Sequence, residues 1–117
     1  MAAPISILVL GAGELGIEVL KSLASHPSRP DARLAVMLRP ATMSSQDPVK
    51  LADLNLFSTL GIEAVGGDVV QDSAEQLSTT FRSFRTVISC TGMTFPKGTQ
   101  LKVSQAVLQA GAKRYFP

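Results

Sequence analysis

Apolar and polar positions along this chain switch repeatedly between two spacings. Ile5–Leu10 is a short, mostly apolar and β-branched run without alternation, the pattern of a strand buried on both faces. From Glu14 to about Ser25 the period lengthens. Leu15, Val19, Leu23 and Ala24 then share one helical face, and "HPSRPD", with two prolines, ends the helix. "RLAVMLR" (33–39) is a second buried-type strand, followed by a loop rich in Pro, Ser and Thr at 40–48. A helix is predicted from about Pro48 to Leu60, with Val49, Ala52, Leu56, Phe57 and Leu60 on one face and Gly61 as its stop. "IEAV" (62–65) is a short strand closed by "GGD". Asp72 or Ser73 caps a helix on which Ala74, Leu77, Phe81 and Phe84 line up. "TVISCT" (86–91) is a fourth strand, and "GMTFPKG" a loop. Thr99–Ala110 is a helix with Val103, Ala106, Val107 and Ala110 inward and Gly111 as its stop, and "KRYFP" begins a fifth strand.

Strands separated by helices imply right-handed crossovers and a parallel sheet. The expected fold is α/β, a Rossmann-type three-layer sandwich with five parallel strands in the order 3-2-1-4-5. At 117 residues it is one domain, 1–117.

The first strand-to-helix turn carries the chemistry. "GAGELG" matches G-x-G-x-x-G, follows a strand and opens a helix, the context that separates a dinucleotide fingerprint from a chance match. Gly11 permits the sharp turn, Gly13 lets the backbone approach a pyrophosphate, and Gly16 brings the helix close to the sheet. Glu14 and Leu15, between Gly13 and Gly16, are counted with them as cofactor-binding. The N–H groups and positive dipole end at the helix start then face the phosphates. The alternative is a tight βα turn with no ligand.

An NAD site carries Asp or Glu roughly 20 residues on, at the end of the second strand. Here that strand ends "MLRP", with Arg39 lying 23 residues past Gly16. An arginine there suits a 2′-phosphate through a forked pair of charge-assisted hydrogen bonds, so NADP(H) is favoured over NAD. A solvated loop arginine is the plainer account. Two further loops leave the same sheet edge. In "GGDV", Asp68 and Val69 meet the adenine, or Asp68 caps its own turn. In "CTGM", Thr91, Gly92 and Met93 pass beside the nicotinamide half, or Gly92 merely ends the strand.

Other candidates are few. His26 reads as a surface residue at a helix C-terminus. Cys90 reads as a buried inert thiol inside an apolar strand. Tyr115 reads as packing, and Lys97 and Lys102, flanking the loop after the fourth strand, as solvated side chains, the alternative being that they help hold an anionic ligand. No Ser/His/Asp set, carboxylate pair or metal-ligand spacing stands out. Hydrophobic residues at 45% and charged residues at 17% make the chain globular, not disordered. The net charge of +2 is spread over scattered cations, too thin for a nucleic-acid footprint but suited to an anionic small molecule. One cysteine allows no intrachain disulfide and weakly favours a reducing compartment. There is no basic n-region, and the run 5–10 is too short for a signal core or membrane span, so the cytoplasm is the default location.

Taken in order, "GAGELG", "MLRP", "GIEAVGGDVVQ", "VISCTG" and "SQAVLQAGAKRYFP" resemble the NmrA-like family, most closely its isoflavone reductase-like branch. The resemblance spans nearly the whole chain. It implies a Rossmann fold binding NADP(H), with Gly11, Gly13 and Gly16 at the phosphates and Arg39 at the 2′-phosphate. Thr91 and Gly92 would then lie beside the nicotinamide ribose. It implies an NADPH-dependent reductase of a small aromatic or phenylpropanoid-like compound, or else a redox sensor that holds the dinucleotide and a protein partner without turnover. Members of the family continue well past this point, into a catalytic lysine, a sixth strand and the substrate region. The stop inside an apolar strand is therefore expected of a truncated piece. Such a piece has no catalytic residue of its own, is inactive alone, and is prone to self-association through an uncovered sheet edge.

Overall fold

The computed structural model describes residues 5–11, 13–27, 32–90 and 98–117. Its elements in chain order are β1 (Ile5–Leu10), α1 (Glu14–Ala24), β2 (Ala32–Leu38), α2 (Pro40–Met43) and α3 (Pro48–Thr59). β3 (Glu63–Gly66), α4 (Ala74–Phe81), β4 (Thr86–Ser89), α5 (Thr99–Ala110) and β5 (Arg114–Phe116) follow. Among the described residues the strands form one sheet in the order β3-β2-β1-β4-β5, and every neighbouring pair is parallel. This is the Rossmann-type arrangement expected from the alternation of periods.

β1 is central and apolar for a visible reason: its side chains feed two cores. Leu8 and Leu10 join Ala35 and Met37 of β2 on the face packed by Leu77 and Phe81 of α4 and Val103, Ala106 and Val107 of α5. Val9 joins Leu34, Val36 and Leu38 on the other face, under Leu20 of α1 and Phe57 of α3. Successive strand residues point to opposite faces, so a strand covered on both sides needs apolar residues throughout. Leu8, Val9, Leu10, Ala35 and Val36 are accordingly all fully buried.

Local signals set the helix ends. Asp47 caps α3, its Oδ1 accepting the Val49 N–H at 2.9 Å. Ser73 and Gln76 form a reciprocal capping box at α4, at 3.1 and 2.8 Å. α5 lies between Gly98 (φ 92°) and Gly111 (φ 72°), both in the left-handed region that glycine tolerates.

Several expectations need correction. Leu15 is 64% exposed, and Leu20, at 1%, occupies the buried line of α1 instead. Gly16 is the residue of the first turn pressed to the sheet, which rotates its neighbour Leu15 outward. Val49, in the first turn of α3, is 70% exposed, and Phe57, near the other end, is the helix's buried residue. The segment 40–48 is not all loop, since Pro40–Met43 forms the short helix α2. Cys90 follows β4 instead of lying inside it and is only partly buried. Lys102 is not simply solvated: its Nζ donates to the Val70 carbonyl at 2.8 Å. Tyr115 does pack against the α4–α5 core, with its hydroxyl buried and unpartnered among the described residues. Lys97 lies outside the described residues. No described helix is long and apolar enough to cross a membrane.

Candidate functional site

The loops of interest leave the carboxyl ends of β1, β2, β3 and β4. The chain runs outward from β1 through β2 to β3, then crosses back to β4 on the other side. The crevice beside β1 is thus the switch point of the sheet, where ligands lie in open α/β folds.

The three glycines of the first loop have three different physical causes. Gly11 has φ 94°, a conformation that strains any residue with a Cβ. Gly16 is crowded: a Cβ there would meet the Gly11 carbonyl, 3.0 Å from its carbon, and would sit 3.5 Å from Cys90 Cβ. Gly13 shares neither constraint. Its backbone is ordinary extended chain (φ −76°, ψ −170°), and a Cβ built on it would meet none of the described residues within 4 Å. Packing demands glycine at Gly11 and Gly16; at Gly13 it gives only the mild preference of an N-cap for glycine over alanine, and no described residue stands in front of it.

Gly13 is also the N-cap of α1, and no side chain caps that end. The first N–H to find an intrahelical acceptor is that of Ile17, bonded to the Gly13 carbonyl at 2.9 Å. The N–H groups of the first turn therefore point outward at the positive end of the helix dipole. α3 and α4, by contrast, carry side-chain caps. Exposed Leu15 lies at the same mouth. Glu14 opens α1, and its side chain lies outside what the structure describes. Beneath the loop, the Cys90 N–H donates to the Leu10 carbonyl at 2.8 Å, and burial raises the thiol above its ordinary value, keeping it neutral.

Arg39 directly follows β2 and is the N-cap of α2. Its carbonyl accepts from Thr42 and Met43 at 2.9 and 3.2 Å, which fixes its backbone. Its exposed guanidinium makes no hydrogen bond or ion pair with the described residues. The loop after β3 is drawn to the same edge by a 2.9 Å bond from Gly67 N–H to the Leu38 carbonyl. There the alternative of a self-capped turn is what the structure contains: Asp68 Oδ1 accepts from Val70 and Gln71 at 2.9 and 3.2 Å. Val69 is 7% exposed and packs into the core. Lys102 then pins this loop to α5, a contact invisible to sequence because it joins positions far apart along the chain. Thr91, Gly92 and Met93 lie outside the described residues. No group of acidic, His or Cys side chains suited to a metal occurs among the described residues.

No protein-family model matches the chain. An "NmrA-like family domain-containing oxidoreductase" of Gibberella moniliformis is 50% identical over 112 residues, which are 96% of this chain and 37% of that protein. Over this span the chain is similar to an NmrA-like oxidoreductase. Solved structures agree in fold. "AtPrR2 with NADP+ and (+)pinoresinol" superposes with a TM-score of 0.78 at 25% identity, over all of this chain and 37% of that one. An isoflavone reductase does so with a TM-score of 0.77 at 22% identity, over all of this chain and 36% of that one. The chain thus spans little more than a third of the length of these relatives.

Proposed function

We propose that this chain holds NADP(H), as the nucleotide-binding part of an NADPH-dependent reductase acting on a small aromatic or phenylpropanoid-like compound. The observation that carries the reading is Gly13, a glycine that the fold does not require and that borders open space at an uncapped helix start. A diphosphate close to the backbone accounts for it. The outward N–H groups of the first turn bind the diphosphate, and Gly11 and Gly16 shape the turn that presents them.

Arg39 supplies the discrimination. Its backbone is fixed and its guanidinium is uncommitted among the described residues, so it can meet a 2′-phosphate with two parallel N–H donors. Asp68 and Val69 bound the adenine side through the turn that Asp68 holds rigid, with Val69 supporting it from the core. Thr91, Gly92 and Met93 are proposed for the nicotinamide side. When bound, the cofactor supplies a hydride from C4 of its nicotinamide. The chain's own residues bind and orient it. The solved relative that holds NADP+ and pinoresinol supports both the cofactor and the substrate class.

The test is titration of the protein with NADPH and with NADH, followed by nucleotide fluorescence. Saturable binding with preference for NADPH is expected. Absence of binding by either nucleotide overturns the reading.

A further inference from the structure

A second cavity lies at the opposite, amino-terminal edge of the sheet. Its volume is about 280 Å³, and its lining includes Ser6, Arg33, Arg82, Phe84, Arg85 and Lys113. The topology gathers them: Ser6 and Arg33 are the second residues of β1 and β2, while Arg85 and Lys113 immediately precede β4 and β5. From Ser6 to Leu10 the chain is extended strand rising about 3.3 Å per residue, so this cavity and the glycine loop lie at opposite ends of β1.

Arg33 is already committed. Its Nε donates to Glu63 Oε2 at 2.6 Å, its Nη1 to the Ser83 carbonyl at 3.3 Å, and its guanidinium lies 4.5 Å from the centre of the Phe84 ring. The other cations are not. Arg82, Arg85 and Lys113 have no carboxylate within ion-pair distance among the described residues. Two of them are held side by side by the backbone, since the Arg85 carbonyl accepts the Lys113 N–H at 2.8 Å. Ser6, only 7% exposed, accepts the Arg85 N–H on its hydroxyl oxygen at 2.9 Å. Its hydroxyl proton goes to no described acceptor.

Three like charges around one cavity repel, and a multiply charged anion relieves them. We propose that this cavity binds a phosphate dianion, either inorganic phosphate or the phosphoryl group of a small phosphomonoester. Arg82, Arg85 and Lys113 neutralise it, and the Ser6 hydroxyl donates to one of its oxygens. The volume lies at the lower end of ordinary ligand pockets, roughly 300–1,000 Å³, which fits a small ester better than a polymer. A nucleic acid would need a broader basic face than these three side chains provide. Because the ligand would join the starts of β1, β4 and β5, it binds the folded sheet and raises the unfolding temperature.

The experiment is calorimetric titration and thermal unfolding of the protein at constant ionic strength, with inorganic phosphate, glycerol 3-phosphate or sodium chloride. Saturable binding of phosphate and of the ester, each with a rise in unfolding temperature, is expected. Binding by both assigns the phosphoryl group as the recognised unit, and binding by the ester alone assigns a phosphomonoester. The double substitution Arg85→Gln/Lys113→Gln, at exposed side chains, should weaken this binding at least tenfold while leaving NADPH affinity unchanged. Three results would overturn the proposal: no saturable binding of either phosphate or the ester, the same temperature rise with chloride, or undiminished binding by the double variant.

Discussion

Alanine placed at Gly13 and at Gly16 separates what the fold needs from what the ligand needs. At Gly16 the new Cβ would meet the Gly11 carbonyl and lie 3.5 Å from Cys90 Cβ. The Gly11 backbone cannot easily yield, since its φ of 94° belongs to the turn itself. Overpacking of this kind costs about 1–3 kcal/mol, and contact with backbone puts it at the upper end. Alanine's better helix propensity returns about 1 kcal/mol. The net loss is about 2 kcal/mol, or roughly 6–10 °C in Tm for a domain of this size. At Gly13 the backbone suits alanine and the added methyl meets nothing. A gain of about 0.4–1 kcal/mol from a stiffer unfolded chain is offset by alanine's poorer N-cap behaviour. The Tm should therefore stay within about 2 °C of the parent. The methyl would nonetheless occupy the approach to the diphosphate and weaken NADPH at least about tenfold, near 1.4 kcal/mol. Circular dichroism melts and fluorescence titrations read the two effects. Unchanged NADPH affinity in Gly13→Ala refutes the ligand argument, and an unchanged melt in Gly16→Ala refutes the packing argument.

Arg39→Asp should cost NADPH about 1.5–3 kcal/mol of binding while sparing NADH, and equal losses would remove the 2′-phosphate contact. Burial raises the Cys90 thiol above its ordinary 9.0, so alkylation by iodoacetamide should be slow at pH 8 and quicken only at more alkaline pH. The unfolded chain loses that proton first. Cys90 therefore favours the fold fully below the ordinary thiol value and progressively less as pH rises through its raised one. Rapid alkylation of the folded protein at pH 8 would contradict this. Ser73→Ala breaks the capping box of α4 and should lower stability by about 1 kcal/mol, visible as a thermal shift of roughly 3–5 °C. A melt coincident with the parent's would show that this cap is idle.

Local chemistry made most of the fold legible before any coordinates. Gly111 marks the end of α5 at Ala110 in the residues themselves, and Asp72 and Ser73 mark the start of α4, where the structure selects Ser73 as the cap. Uninterrupted apolar runs at β1 and β2 announced strands covered on both faces, and the run of alternating periods implied the parallel order. The phosphate-loop pattern was equally plain, since each glycine sits at a fixed offset from a strand end. Tertiary structure decided the rest. Periodicity names a helical face but not which of its residues meets the sheet, so Leu15 and Val49, on the apolar faces of their helices, lie exposed. Whether Asp68 meets a ligand or holds its own turn depended on N–H groups whose direction the loop sets only once folded. Above all, the distinction between Gly13 and Gly16 required three dimensions. Both are glycine in the sequence, but only the packed sheet shows that Gly16 is pressed against Gly11 while Gly13 faces open space. The gathering of Ser6, Arg85 and Lys113 around one cavity has the same cause: parallel strands bring their starts together from distant parts of the chain.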